Sequence, residues 1–365
     1  MSLVAKRRQT RQLHVGSVAV GSGAPVAVQS MTNTPTAEVA ATVAQIHRIQ
    51  DAGGEIIRVA VPDMAAAAAV TAIREQIRIP LIADIHFNWR LAVAAIDAGA
   101  DGLRLNPGNI GGREKALRVI EKAAAAGIPI RIGVNSGSVE KDLLATHGGA
   151  TAEAMAQSAL RNIALFEEAG FTDLKISIKA SDVERTVESY RRIADRCDYP
   201  LHVGVTEAGG LVSGLVKSSL GIGMLLAEGI GDTIRVSLTR DPTEEIRAGF
   251  EILKALDIRR VGPELISCPT CGRCRIDLFS IAEEVERQLL QVRAPLRVAV
   301  MGCAVNGPGE AREADVGIAG GDGAGVLFKN GEIVSTIPEA RLIEALMAEV
   351  AALAAHWENQ EKKEE

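Results

Sequence analysis

Leu81-Ile82-Ala83-Asp84-Ile85-His86, an alanine-rich stretch closed at Gly99, and then Gly102-Leu103-Arg104-Leu105-Asn106-Pro107 set out the unit from which most of this chain is made. A short apolar run reads as a parallel strand, and an alanine-rich run with glycine at its end reads as a helix with its terminator. The theme repeats in both directions. Further strands are predicted at residues 26–32, 56–61, 130–135, 174–179, 201–207 and 233–238, and helices at 36–52, 112–126, 151–169 and 243–256, several closed by Gly53, Gly127 and Gly170. Eight such units in roughly 230 residues predict a TIM (β/α)8 barrel. A doubly wound open sheet is the alternative architecture; no Gly-x-Gly-x-x-Gly opens the first unit to favour it.

Outside the repeat, residues 11–25 read as a small hairpin that plugs or covers the barrel, so the barrel domain is placed at 1–256. After a linker at 257–263 the pattern changes. A helix at 277–292, strands at 296–301 and 315–319, a hairpin across Asn330-Gly331 and a last helix at 338–357 predict a small α/β domain over 264–357, followed by a charged, frayed tail at 358–365. With 365 residues, 47% of them hydrophobic, the chain has material for two cores. A net charge of −6 and 3% aromatics argue against a nucleic-acid partner. No apolar run reaches the eighteen residues of a membrane span, and the basic start Lys6-Arg7-Arg8 precedes no apolar stretch of signal-peptide length, which predicts a cytoplasmic protein without membrane contact.

The strands are not the continuous apolar runs of a doubly covered parallel sheet. Residues two apart share a strand face, and Asp84 with His86, Arg104 with Asn106, Arg131 with Asn135, Lys175 with Ser177 and Lys179, and Arg235 with Ser237 form such series. Arg58 and Glu207 add to them, mostly toward carboxyl strand ends, where barrel active sites are built. A single arginine there is as well explained by a rim salt bridge. Five cations on different strands are not, because burying each without an anion costs several kcal/mol. A strongly charged anion is therefore expected in the mouth, and guanidinium forks suit a diphosphate.

Four of the five cysteines lie close together: Cys268, Cys271 and Cys274, and then Cys303. Cys-x-x-Cys with a distant third cysteine reads as a metal site. The three-cysteine spacing resembles the start of a ferredoxin run and favours iron–sulfur, while a structural zinc knuckle fits the same spacing. In Gly302-Cys303-Ala304-Val305-Asn306-Gly307-Pro308-Gly309-Glu310, glycines let backbone approach a cluster and Glu310 stands where a carboxylate completes a coordination shell. Cys197, distant from these, reads as a buried structural thiol.

Cys268-Pro269-Thr270-Cys271 followed by Gly302-Cys303-x-x-Asn306-Gly307-Pro308-Gly309-Glu310 resembles the 4-hydroxy-3-methylbut-2-enyl diphosphate synthases of the methylerythritol phosphate route. Val28-Gln29-Ser30-Met31-Thr32-Asn33-Thr34, Arg104 to Gly111, Arg131-Ile132-Gly133-Val134-Asn135, Lys175 to Ser181 and Val205-Thr206-Glu207-Ala208-Gly209 resemble that family's barrel motifs in order. The resemblance implies a TIM barrel followed by a small α/β iron–sulfur domain, with a [4Fe-4S] cluster on Cys268, Cys271, Cys303 and Glu310. Cys274 departs from the family's ligand pattern and leaves a four-thiolate set as the alternative. The resemblance further implies that Arg58, Arg104, Arg131, Lys179, Arg235 and Ser237 hold the diphosphate of the cyclic substrate. Asp84, Asn106, Asn135 and Glu207 would surround its carbon skeleton, with Glu207 and Glu310 as catalytic groups and flavodoxin or ferredoxin as electron donor. The short linker, set against a barrel mouth at the far end, predicts a head-to-tail homodimer. A barrel enzyme of pterin or aldolase type with a structural zinc domain is the competing reading, and a zinc-stabilised binding module a third.

Overall fold

The structure is a computed structural model that describes residues 3–304 and 307–364, and it divides into two compact units, Met1–Arg259 and Arg260–Glu365. In the first unit, β1 (Gln12–Val15) and β2 (Val18–Gly21) form an antiparallel hairpin. Eight parallel strands follow: β3 (Ala27–Met31), β4 (Ile56–Ala60), β5 (Leu81–Ile85), β6 (Gly102–Leu105), β7 (Ile130–Asn135), β8 (Leu174–Lys179), β9 (His202–Val203) and β10 (Thr233–Ile234). Their order, β8-β7-β6-β5-β4-β3-β10-β9, is closed by the parallel bridge between Ile176 and Leu201, so the sheet is a barrel and not an open doubly wound sheet.

Around it run α1 (Val39–Asp51), α2 (Met64–Arg74), α3 (Trp89–Asp97), α4 (Arg113–Ala126), α5 (Lys141–His147), α6 (Ala152–Glu168), α7 (Val183–Ala194), α8 (Leu211–Ala227) and α9 (Pro242–Ala255). Helix starts follow side-chain caps: Asp63, Thr151 and Asp182 each accept a hydrogen bond from the N–H three residues on. Helix faces and outward strand residues make one apolar layer, including Ile57, Val59, Leu103, Ile132, Ile176 and Ile178. Inward residues at the amino ends, Ala27, Ile56 and Ile82, pack instead against Leu13, Val15 and Val20 of the hairpin. The hairpin is thus a stopper in the barrel floor.

Three expectations needed correction. β9 and β10 pair for two residues only, although longer strands were predicted; beyond them the chain bends at Gly204 and at Glu207, whose φ of 51° breaks extended backbone. The seven-residue α5 has too little periodicity to be read from sequence. The last helix does not fray at residue 358: α12 (Leu342–Glu364) continues through glutamates, glutamine and lysines that favour helix.

The second unit is a five-stranded sheet in the order β11 (Glu264–Ser267), β12 (Arg297–Met301), β13 (Val316–Ala319), β14 (Ala324–Lys329) and β15 (Glu332–Pro338). The first three are parallel, and β14 and β15 form the hairpin across Asn330-Gly331, both with positive φ as a tight hairpin turn needs. Strand alternation sorts the core: Val298 and Val300 face α10 (Leu278–Leu289) and α12, while Ala299 and Met301 face the other side with Ala311 and Phe328. The short helix α11 (Gly307–Glu310) sits on that second side. β11 was not foreseen from sequence because three of its four residues are half-buried, Ser267 is exposed, and the strand shows no apolar contrast.

Candidate functional site

The predicted charged residues on the barrel strands share one inward layer because parallel register makes them ladder neighbours. Asp84 of β5 stands beside Arg104 of β6, Arg104 beside Arg131 of β7, and Arg131 beside Lys175 of β8. Asp84, 2% exposed, is shared by Arg58 Nε at 3.4 Å, Arg104 Nη1 at 3.1 Å and His86 Nε2 at 3.5 Å. Burial alone would raise its carboxyl; Arg58, the His86 hydrogen bond, Arg104 and Arg131 together hold it well below the ordinary carboxylate range. Arg58 is brought down to about 10 by burial, opposed by Asp84.

Arg131 is the exposed nerve of this layer in energetic terms. It is 2% exposed, and its Nε and Nη1 have no hydrogen-bond partner among the described residues; Arg104 Nε has none either. Burial, then the neighbouring Arg58 and Arg104, push the Arg131 guanidinium well below its usual value. Buried donors left unmatched are costly, so the layer is built to receive acceptors. On the opposite side, Arg235 is forked onto Glu245 at 3.2 and 3.3 Å, and Glu245 also accepts from Ser30 Oγ and the Leu238 N–H. Lys179 Nζ lies 3.3 Å from His202 Nε2, and burial pushes both far down from their ordinary values.

Asn106 is buried, and its Oδ1 caps the next turn by accepting from the Gly108 N–H. After that turn α4 begins behind Gly112 without a side-chain cap, so its first N–H groups have no side-chain acceptor of that kind. Asn135 closes β7 through backbone bonds with Ser138. Ser237 is half-buried, and Glu207 is exposed with its left-handed backbone. His86 is exposed and reaches back to Asp84, whereas His202 is the inner-barrel histidine, bonded also to Thr233 Oγ1.

Sequence reasoning missed two members. Met31 Sδ accepts from Arg58 Nε and Nη2 at 3.1 and 2.9 Å, and Glu245 comes from a helix rather than a strand. The signal for Glu245 was present: with Ile246, Gly249 and Leu253 it lies on the barrel-facing stripe of α9, where a carboxylate needs a partner. Two glycines make room for the cations. A Cβ on Gly133 would stand 2.6 Å from Arg104 Nε, and one on Gly204 would stand 2.9 Å from Lys179 Nζ. Gly133→Ala is therefore expected to swing Arg104 aside, raising KM roughly tenfold at a stability cost below about 1.5 kcal/mol. Steady-state kinetics with urea unfolding check it; an unchanged KM counts against Arg104 as a ligand.

In the second unit, β11 and β12 lie side by side and deliver Cys268 and Cys303 from their carboxyl ends. Cys268 Sγ accepts from the Gly302 N–H at 3.2 Å, and Cys274 Sγ packs where a Cβ on Gly302 would stand, 2.8 Å away. Cys271 is exposed, and the Arg273 N–H lowers its thiol; Glu310 ends α11, exposed. Val305 and Asn306 of the loop lie outside the described residues. Among the described residues no three metal-competent side chains are gathered into one coordination sphere. The donor set nevertheless suits an iron–sulfur group: thiols from two adjacent loops, a strand-end glycine without a Cβ beside them, and every cysteine free.

Residues 10–250 match the family description GcpE TIM-barrel domain, and residues 264–352 match GcpE protein C-terminal domain. The 4-hydroxy-3-methylbut-2-en-1-yl diphosphate synthase (flavodoxin) of Geobacter sulfurreducens is 59% identical over 96% of this chain and 99% of its own length. The enzyme of the same name from Desulfotalea psychrophila is 57% identical over 95% and 96%. Among solved structures, dihydropteroate synthase from Stenotrophomonas maltophilia aligns with a TM-score of 0.50 at 16% identity, covering 68% of this chain and 98% of its own, which is a likeness of barrel fold alone. From the barrel through the cysteine-bearing domain, the chain belongs to the GcpE family.

Proposed function

We propose that this chain is an iron–sulfur oxidoreductase that opens and dehydroxylates 2-C-methyl-D-erythritol 2,4-cyclodiphosphate to (E)-4-hydroxy-3-methylbut-2-enyl diphosphate, with flavodoxin or ferredoxin as donor. The relatives from Geobacter sulfurreducens and Desulfotalea psychrophila are named 4-hydroxy-3-methylbut-2-en-1-yl diphosphate synthase (flavodoxin), and the observation that carries the assignment to this barrel is the row of Arg104 and Arg131 with unmatched buried N–H donors. A pterin-type or aldolase-type barrel with structural zinc is not favoured, since the pterin likeness is one of fold only.

In the reaction two electrons and two protons enter, and the hydroxyl leaves as water. Arg58, Arg104, Arg131, Lys179, Arg235 and Ser237 hold the two phosphates and stabilise charge on the departing phosphate oxygen as the ring opens. Glu245 and Asp84 keep Arg235, Arg58 and Arg104 in place, so little reorganisation remains when the substrate arrives. Asp84, Asn106 and Asn135 orient the carbon skeleton, and Glu207 transfers a proton at the leaving hydroxyl. Cys268, Cys271, Cys303 and Glu310 would hold a [4Fe-4S] cluster that would supply electrons singly, Glu310 being the more exchangeable ligand.

The proposed assembly is a pair of chains. Arg259 is tied to Glu55 and the Val26 carbonyl, ahead of the amino ends of β4 and β3, so the chain leaves from the floor. A short linker at 257–263 supports a head-to-tail homodimer as part of this reading. The α8 face carrying Val212, Val216, Leu220 and Met224, all exposed, offers apolar surface for such a contact. Free thiols and the absence, among the described residues, of any helix able to cross a membrane accord with a cytoplasmic enzyme.

Anaerobic turnover of the cyclodiphosphate with a chemical reductant, alongside iron and acid-labile sulfide analysis, tests the assignment. Stoichiometric zinc without sulfide, or no turnover by cluster-loaded protein, overturns it. Mixing Arg131→Ala with Cys303→Ser protein is expected to regain up to about a quarter of wild-type activity in a dimer whose sites are shared between chains; no recovery in verified heterodimers counts against sharing.

A further inference from the structure

One buried amine is left without a role by this reading. Lys175 points inward from β8, one ladder step from Arg131, and is 2% exposed, with no hydrogen-bond partner for Nζ among the described residues. It precedes Lys179 by four residues on the same strand face and stands in the ladder row of Arg131. The charged groups acting on it are Arg131 of β7, Arg58 of β4 and Asp232 just before β10, with His202 of β9 and Lys179 of its own strand in the same interior. Asp232, the one carboxylate among these, is already engaged by Arg7, Thr10 and the Leu201 N–H.

We propose that Lys175 is a proton acceptor coupled to ligand entry: an anion bound by the mouth cations neutralises the field of Arg131 and Arg58, and Lys175 takes up a proton in response. The role is one of positioning, since the amine is coupled to the ligand through the charge of Arg131 and Arg58. The inference rests on the mouth being the diphosphate site. Burial, then Arg131, lowers the amine to about 7 in the empty barrel, with Asp232 opposing and Arg58 adding to the fall. A dianion nearby favours the charged form and raises that value. A group whose pKa rises on binding strengthens binding at low pH: the gain is full below about 7 and is lost as pH rises through the higher, ligand-bound value. A permanently charged lysine here would attract the anion equally at every pH near neutrality; a poised one makes that attraction pH-dependent and spares the empty barrel an unmatched buried charge.

The test is titration calorimetry of the full-length, cluster-loaded protein, without oxygen, in buffers of different ionisation enthalpy. The cyclodiphosphate carries one strongly acidic hydroxyl on each phosphorus, so its charge stays fixed near neutrality and any proton counted belongs to the protein. Uptake of about half to one proton per site near pH 8 is expected, with affinity falling roughly three- to tenfold between pH 7 and 9. Lys175→Met keeps the volume, removes an unmatched amine, and is expected to take up about half to one proton less than wild type near pH 8, any remainder belonging to Lys179 and His202. Binding by wild-type protein without proton uptake overturns the proposal even if the variant fails to fold, and so does uptake in Lys175→Met equal to that of wild type. Inorganic sulfate, another dianion of fixed charge, separates this inference from the assigned substrate. If sulfate binds with Lys175-dependent uptake while the cyclodiphosphate does not bind, the coupling stands and the substrate falls. If neither anion binds, both fall.

Discussion

Cys303→Ala protein, purified without oxygen, is expected to carry iron and acid-labile sulfide at background level and to turn over at least about a thousandfold more slowly than wild type. The reason is local. Cys303 follows β12 and is the only cysteine on its loop, so its loss leaves two thiolates after β11 and the exchangeable Glu310 to hold the group. The barrel has its own core and should not feel the change: its urea midpoint is expected to match wild type. Cys197→Ala serves as a control, because that thiol packs against the barrel core and its loss should leave iron content unaltered. Cys274→Ala decides the ligand set. Cys274 Sγ donates to the Ile276 carbonyl and packs on Gly302, which is the behaviour of a structural thiol, so iron retention is expected. Loss of iron in Cys274→Ala would return the four-thiolate alternative to consideration, and full iron in Cys303→Ala would overturn both ligand sets.

Asp84→Ala is expected to destabilise the barrel by roughly 3–5 kcal/mol, because it strands Arg58 and Arg104, both largely buried, beside an already unmatched Arg131. A fall in Tm on the order of 10 °C follows. Acid behaviour gives an independent check. The folded carboxyl titrates below its unfolded value, so its contribution is present above about pH 4 and is lost as pH falls through the lower, folded value. Asp84→Asn should flatten that acid slope while preserving shape. A destabilisation under about 1 kcal/mol would mean that the three cations do not depend on this carboxylate.

How far such contacts were visible beforehand depended on what each residue answers to. Strand and helix order came through because period, glycine stops and caps act locally; the barrel followed from counting. Inward placement of Arg104, Arg131 and Lys175 was also legible, since parallel register turns a shared strand position into a shared face. Met31 and Glu245 were not, because a thioether or a carboxylate becomes a guanidinium partner only once β3, β10 and α9 are folded together. The early ends of β9 and β10 are likewise tertiary: Gly204 must stay bare beside Lys179, and backbone built around such a notch leaves the ladder. The motif at Cys268 and Cys271 was plain in sequence, while β11, which aligns it with Cys303, was hidden by its half-exposed residues.

The stopper in the floor carries a consequence for biosynthesis. The segment ahead of it is strapped to the last strands made: Arg7 pairs with Asp232, 225 residues later, and the Ala5 and Arg8 N–H groups bond to the carbonyls of Ala227 and Gly229. A nascent chain emerging from the ribosome therefore holds residues 5–8 undocked until nearly two thirds of the polypeptide has been translated, although the partners of Leu13, Val15 and Val20 are made early. Contacts this distant along the chain make closure a late, all-or-none event, and they make the segment ahead of the hairpin a natural client for a chaperone while the rest is still being synthesised.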